Sequence, residues 1–262
     1  MTHEPSPSPL GIERFDHVTL IELRKPPYNY FDQAFITAIA DAFEACDRDD
    51  DCRAIVLAAQ GKAFCAGADF SSPREDRNPA LRDGSHPLYA QAVRMFRAGK
   101  PVVAAVQGAA VGGGLGLALV ADFRVVAPEA RFSANFTRLG FHPGFGLSTT
   151  LPRLVGQQQA ARLFYTGCRI DGEEALRIGL ADELVPMEQL RERALALAAV
   201  IAISAPIAVR ATRETLRDGL ADAVEAATRR EATLQAGHFL SEDFKEGVAA
   251  MAARRDPVFK GR

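Results

Sequence analysis

The sequence predicts an α/β fold with a buried sheet, and three observations carry that prediction. Strand-like and helix-like segments alternate through the first half of the chain. Several strand-like segments are short, continuous apolar runs of the kind buried inside a domain. Two of these runs end in glycine-bearing turns. The chain has 262 residues, 48% of them hydrophobic, which suits one large domain or one domain with an appendage.

Each element follows from local pattern. MTHEPSPSPLGIE is polar and proline-rich, and residues 1–14 read as a disordered arm. Asp16 to Leu23 alternates and is rich in β-branched residues, so it reads as a strand. Asp32 to Asp47 places Phe35, Ile36, Ile39, Ala40 and Phe43 on one helical stripe, with Asp32 as N-cap. Arg53 to Ala59 is a short buried strand, and Gly61 to Phe70 is a glycine-bearing turn. Ser71 to Ser85 is a polar loop of the kind that covers a site. A helix is expected from about Pro87 to Ala98, and a buried strand over Pro101 to Val106. QGAAVGGGLGLALVA is a glycine turn opening a helix, and Phe123 to Ala127 is again a strand. From about Gln157 the chain turns helical. Helices are expected over Met187 to Ile203, Ile207 to Asp218 and Ala221 to Gly237, and a last one is capped by Ser241 or Asp243.

Composition excludes several functions. Charged residues make up 24% and the formal net charge is −2, so no electrostatic attraction to DNA, RNA or an anionic membrane is expected. Cys46, Cys52, Cys65 and Cys168 form no CxxC pair and no Cys/His cluster, which argues against a zinc site or a disulfide framework. A reducing, cytoplasmic setting fits. The N-terminus has no apolar signal core. The apolar stretch Val102 to Val126 is interrupted by Gln107, Gly112 to Gly114, Gly116, Asp122 and Arg124, so it is not a membrane span.

The two glycine turns, Ala66-Gly67-Ala68-Asp69 and Gly112-Gly113-Gly114, are the candidate functional elements. Small residues let the backbone approach a ligand and aim amides out of the regular ladder. The second turn opens a helix, so its amides lie at the positive end of the macrodipole. Two such turns at strand ends suit the stabilisation of an enolate or tetrahedral oxyanion, about 3–4 kcal/mol per donor. Packing alone is the competing explanation of the glycines. A dinucleotide loop is disfavoured, because Leu119 stands where the GxGxxG fingerprint requires its third glycine.

KAFCAGADF followed by PVVAAVQGAAVGGGLGLALVADFRV resembles the signature of the crotonase (enoyl-CoA hydratase/isomerase) superfamily. The resemblance continues through ARFSANFTRLGFHPGFGLSTTLPRLVG, TGCRIDGEEALRIGLADELV and EDFKEGVAAMAARRDPVFKG, nearly the whole chain from Asp16 onward. It implies a spiral of ββα units over residues 15–200 and a C-terminal helical trimerisation region over 201–262, in a homotrimer or a dimer of trimers. It implies an acyl-CoA substrate, with coenzyme A as part of the thioester and no permanently bound cofactor or metal.

The resemblance also assigns residues. The oxyanion amides fall at Ala68 and Gly113. Ala66, Asp69, Phe70 and Ser71 fall where the family binds the coenzyme A adenine and pantetheine. Arg24, Lys25, Lys245, Arg254 and Lys260 are candidate phosphate contacts, against the alternative of solvated surface charge. The departure is in the acid/base pair. The two glutamate positions of the family's hydratases hold Gly116 and Phe136, and the acid position of some dienoyl isomerases holds Gly144. Hydration needs one group to activate water and one to handle the α-proton, and neither Gly nor Phe does either.

Candidate replacements are His142, in the loop after Phe136, and His86, at the start of the helix after the polar loop. Tyr28, Asn29, Tyr30 and Asn135 are candidate polar contacts; Asp122 reads as a core carboxylate, His238 as a surface or interface residue, and Cys65 as an unactivated thiol. Three functions stay open. The first is a lyase or isomerase running isomerisation, decarboxylation, C–C cleavage or hydrolysis through a thioester enolate. The second is an inactive acyl-CoA-binding homologue, and the third an ordinary hydratase of fatty-acid β-oxidation with relocated acid and base.

Overall fold

The computed structural model describes residues 8–69 and 86–262. The first sheet has six strands: β1 (Leu10–Phe15), β2 (Val18–Leu23), β3 (Ala54–Ala59), β5 (Val102–Val106), β7 (Phe123–Val126) and β10 (Glu183–Leu184), side by side in that order. The second has four: β4 (Ala63–Cys65), β6 (Ala109–Val111), β8 (Arg131–Ser133) and β9 (Arg169–Asp171). The β1/β2 and β8/β9 pairs are antiparallel and the other pairs are parallel.

The chain winds between the sheets. A strand of the first sheet is followed within a few residues by a strand of the second, and then by a helix. The repeats are β3–β4–α2 (Pro87–Arg97), β5–β6–α3 (Gly113–Ala118) and β7–β8–α4 (Leu147–Thr166). An earlier turn runs from β2 through Phe31, which bridges Ala68, into α1 (Gln33–Arg48). This is the expected spiral of ββα units.

The first sheet is covered on both faces, which is why its strands read as continuous apolar runs. Ile55 and Leu57 of β3 face one core with Phe35, Ile39 and Phe43 of α1. Ala54, Val56 and Ala58 face a second core made by Leu190, Ala194, Ala198 and Ala202. Those four residues recur every fourth position on α6 (Leu190–Ala202), so they form one stripe. Asp32 caps α1 by accepting from Phe35 N–H, and Ser241 caps α9 (Glu242–Ala252) by accepting from Phe244 N–H.

Three expectations need correction. Leu10–Phe15, all but its last residue expected to lie in the disordered arm, is strand β1; its first two residues alone are buried, so an edge strand held by backbone pairing leaves no apolar alternation to read. The helical region expected from about Gln157 begins at Leu147, and its pattern is hidden by Pro152 and by non-helical Gly156 (φ 75°). The short strands β4, β6, β8 and β9 were not separable from their turns at three residues each. The expected polar loop Ser71–Ser85 lies outside the described residues. Asp122 is the satisfied core carboxylate expected, accepting from Val102 N–H (2.8 Å), Arg213 (2.8 Å) and Arg217 (2.7 Å).

Candidate active site

β4 and β6 run parallel, so the turns that follow them meet. Gly67 has φ +85°, and a Cβ there would lie 2.7 Å from Val111 O and 3.6 Å from Gly113 N. A Cβ on Gly114 would lie 1.9 Å from Cys65 O. Both glycines are therefore required by backbone-on-backbone contact between the turns. Gly113 is the first residue of α3, so its N–H has no intrahelical acceptor, and α3 has no side-chain cap. Outside regular helices and strands, no backbone hydrogen bond among the described residues uses the Ala68 or Gly113 N–H.

Both residues line one cavity of about 500 Å³. Its wall is largely aromatic: Phe31, Phe136, Phe141, Phe145, Phe239 and Phe244. Phe136 and Phe141 stack edge-on, with centroids 5.4 Å apart. Tyr30, Asp32, Asp69, His86, Tyr89, Asn135 and Gln235 supply the main side-chain polarity.

The positions expected to lack carboxylates are also closed sterically. A Cβ on Gly116 would lie 2.7 Å from Phe145 Cδ1 and 2.8 Å from its Cβ. A Cβ on Gly144 would lie 2.1 Å from the Tyr89 hydroxyl. Phe145 fills the space at Gly116 because the chain turns left-handed there, with φ +65° at Phe145 and +74° at Gly146.

The structure sorts the candidates. Ala66, Ala68, Asp69, His86 and Gly113 share the cavity, as do Tyr30 and Asn135. His86 caps α2 through Nδ1, which accepts from Leu88 N–H at 3.2 Å, and burial lowers its pKa. His142 does not join them. Phe141 stands between this cavity and a second one of about 470 Å³, and His142 lies on the second, beside His238. There its Nδ1 is 2.8 Å from Pro143 O and its backbone N–H donates to His238 Nδ1 (3.1 Å), so the ring is engaged by its own turn.

The basic candidates sit outside the cavity wall. Arg24 pairs with Glu22 at 2.8 Å. Lys25 pairs with Asp32 at 3.0 Å and lies over the Phe35 ring, which places it next to a cavity-lining carboxylate. Lys245, Arg254 and Lys260 are exposed on the C-terminal segment. Phe70 and Ser71 lie outside the described residues. Asn29 is fully buried and structural: its amide donates to Gln60 O (2.7 Å) and Ala63 O (2.9 Å), and its oxygen accepts from Lys25 N–H (2.9 Å). Tyr28 is exposed. Burial pushes the Cys65 thiol up to about 12.

Tyr89 and Gln235 were not among the sequence candidates. The Tyr89 hydroxyl donates to Gln235 Oε1 at 2.8 Å, across 146 positions of chain. Gln235 Nε2 donates in turn to His142 O at 2.9 Å. Burial raises the Tyr89 pKa, and the charge of Glu231 adds to it. No local pattern marks such a pair; the nearest signal was Tyr89 standing three residues after His86 on the same helix.

The model of the enoyl-CoA hydratase/isomerase family matches residues 13–262. The chain is 33% identical to 2,3-dehydroadipyl-CoA hydratase of Escherichia coli over 257 residues, covering 97% of this chain and 100% of that one. It is 35% identical to carnitinyl-CoA dehydratase of Salmonella enteritidis over 258 residues, 97% of this chain and 98% of that one. The crystal structure of an enoyl-CoA hydratase/isomerase from Pseudoalteromonas atlantica superposes with a TM-score of 0.87 at 30% identity, over 97% of this chain and 100% of that one.

Proposed function

We propose, from the premise that this chain belongs to the enoyl-CoA hydratase/isomerase family, that it transforms an acyl-CoA thioester by holding the thioester enolate on the N–H groups of Ala68 and Gly113. The observation that carries this reading is that both residues line one cavity while their amides serve no turn of the backbone. The thioester oxygen gains negative charge as the enolate forms. Two fixed donors in an aromatic-walled site stabilise that charge by about 3 kcal/mol each. Coenzyme A enters as part of the substrate. Ala66 and Asp69, with Phe70 and Ser71, are the proposed contacts for its adenine and pantetheine, and Arg24, Lys25, Lys245, Arg254 and Lys260 for its phosphates.

Gly116 and Phe136 argue for a reaction other than hydration: isomerisation, decarboxylation, C–C cleavage or thioester hydrolysis. His86 is the histidine kept as an acid/base candidate, since it lines the cavity and His142 does not. Two other readings have their own support. The hydratase and dehydratase relatives favour hydration, which here needs a relocated acid and base. The aromatic wall favours an inactive acyl-CoA-binding homologue.

A panel of acyl-CoA thioesters analysed by chromatography and mass spectrometry separates these outcomes. Hydration adds water, decarboxylation loses carbon dioxide, hydrolysis or cleavage shortens the acyl group or releases it, and isomerisation shifts retention alone. An unchanged panel refutes the enzymatic reading. We also propose a homotrimer or dimer of trimers, supported by exposed Val200, Ile203, Ile207 and Leu216 on α6, α7 (Pro206–Leu216) and the segment between them. Light scattering of the purified chain tests it, and a monomer would refute it. No single helix among the described residues is long and apolar enough to cross a membrane. The free cysteines support a cytoplasmic setting.

A further inference from the structure

We propose that the Tyr89 hydroxyl, positioned by Gln235, is the proton donor to a thioester enolate, and that this enolate arises by loss of carbon dioxide from a 2-carboxyacyl-CoA. The proposal rests on the enolate reading above and names its substrate class.

The geometry comes first. Tyr89 lines the same cavity as Ala68 and Gly113. Its hydroxyl sits against the backbone at Gly144, 2.1 Å from where a Cβ would stand, with Gln235 Nε2 2.6 Å from the same point. It thus occupies the room a side chain at 144 would need. The oxygen is held by the bond to Gln235 Oε1, and the Phe145 backbone N–H lies on its other side. Gln235 is itself buried and fixed through its bond to His142 O. The hydroxyl hydrogen can rotate about the C–O bond from Gln235 toward a substrate carbon. The nearby Phe145 N–H favours the phenolate left behind.

The other groups on the wall point the same way. His86 Nδ1 accepts a backbone N–H, so its neutral ring carries the proton on Nε2. Burial keeps that ring neutral, and burial likewise keeps Tyr30 and Tyr89 protonated. The wall carries two carboxylates: Asp32, occupied by Phe35 N–H and Lys25, and Asp69, whose charge bears on Tyr30 and helps keep that hydroxyl protonated. The histidine and the two tyrosines of this wall give protons more readily than they take them. A reaction that begins by removing an α-proton needs a base, whereas a decarboxylation does not. Among Phe136, Phe141, Phe145, Phe239 and Phe244, a substrate carboxylate is poorly solvated, which favours moving its charge onto the thioester oxygen at the two amides.

The step balances. The bond from C2 to the carboxylate carbon breaks, its electron pair becomes the enolate, and carbon dioxide leaves. The Tyr89 O–H bond then breaks as the C2–H bond forms, and water returns a proton to the phenolate. The net change is a 2-carboxyacyl thioester plus a proton giving carbon dioxide and the shortened acyl thioester.

The test uses the full chain in deuterium oxide with 2-methylmalonyl-CoA, butyryl-CoA and crotonyl-CoA. The wild type is expected to release carbon dioxide from the first and to leave one deuterium at C2 in a single configuration. Butyryl-CoA should gain no deuterium at C2. Tyr89→Phe should lower kcat about 100-fold or more and randomise that configuration, a readout that a packing role would not move. Gln235→Met should lower kcat about tenfold with configuration retained. Unchanged rate and configuration in Tyr89→Phe overturn the proposal, and so does deuteration of butyryl-CoA, which would reveal a base. Should Tyr89→Phe not fold, an unchanged kcat in Gln235→Met overturns it. Hydration of crotonyl-CoA without decarboxylation sinks this proposal and leaves the enolate reading standing. No change in any of the three thioesters sinks both.

Discussion

Replacing Gly116 by alanine measures how firmly Phe145 closes the space beside that glycine. The new Cβ would lie 2.7, 2.8 and 2.9 Å from Phe145 Cδ1, Cβ and Cγ. Normal carbon contacts begin near 3.5 Å, and Phe145 Cβ is anchored to backbone and cannot swing away. Phe145 is 1% exposed, so its ring has no solvent to move into. Overpacking of this kind costs about 1–3 kcal/mol. Phe145→Gly removes the ring at about 3–5 kcal/mol, less roughly 1–2 for relief of its positive φ. In the double variant the added methyl enters vacated space, so Gly116→Ala should cost nothing further. The double variant should then be no less stable than Phe145→Gly alone, a coupling of about 1–3 kcal/mol. Equilibrium urea unfolding by circular dichroism, at one fixed chain concentration, gives the four stabilities. Additivity within about 0.5 kcal/mol would refute the steric account.

Other consequences can be checked in the same way. Asn29→Ala removes three buried hydrogen bonds and forces alanine to φ +51°; about 4 kcal/mol of destabilisation is expected by urea unfolding. Arg124, 1% exposed, bonds Leu180 O, Ala121 O and Asp182, so Arg124→Ala should cost on the order of 3–5 kcal/mol. For Asp122, burial works to raise the pKa, but Arg213 and Arg217 hold it below the ordinary 3.8. The unfolded chain therefore takes up the proton first, so this group's stabilisation is complete above about pH 4 and is lost as pH falls through its folded pKa. Asp122→Asn should lower stability at neutral pH and flatten that acid limb in a stability–pH series. Titration of the native chain with a thiol reagent should modify Cys168 alone, since Cys46, Cys52 and Cys65 are buried; prompt reaction of a second thiol would contradict the described core.

Much of the fold was legible because its signals are local. The Asp32 and Ser241 caps, the stripe of α1 and the apolar runs of β3, β5 and β7 each state a preference within a few residues of chain. Strand β1 was missed because an edge strand is specified by its partner's backbone, and α4 because Pro152 and Gly156 break its periodicity. The site divided along the same line. The two glycine turns announce themselves, since backbone contacts such as Gly114 against Cys65 tolerate no other residue. His142 was misplaced because adjacency to Phe136 in sequence does not say on which side of Phe141 a side chain falls.

Residue identity along the chain was enough to mark the two backbone turns that meet at the end of the sheet. Glycine stands where backbone contact leaves room for nothing else, as at Gly67 and Gly114. What fills the space beside Gly116 and Gly144 is set by packing in three dimensions. Phe145 at Gly116 and the Tyr89 hydroxyl at Gly144 come from other turns of the chain, and Tyr89 meets Gln235 across 146 positions. Such contacts carry no period and no spacing, because packing compares shapes in space and a pattern along the chain cannot record them.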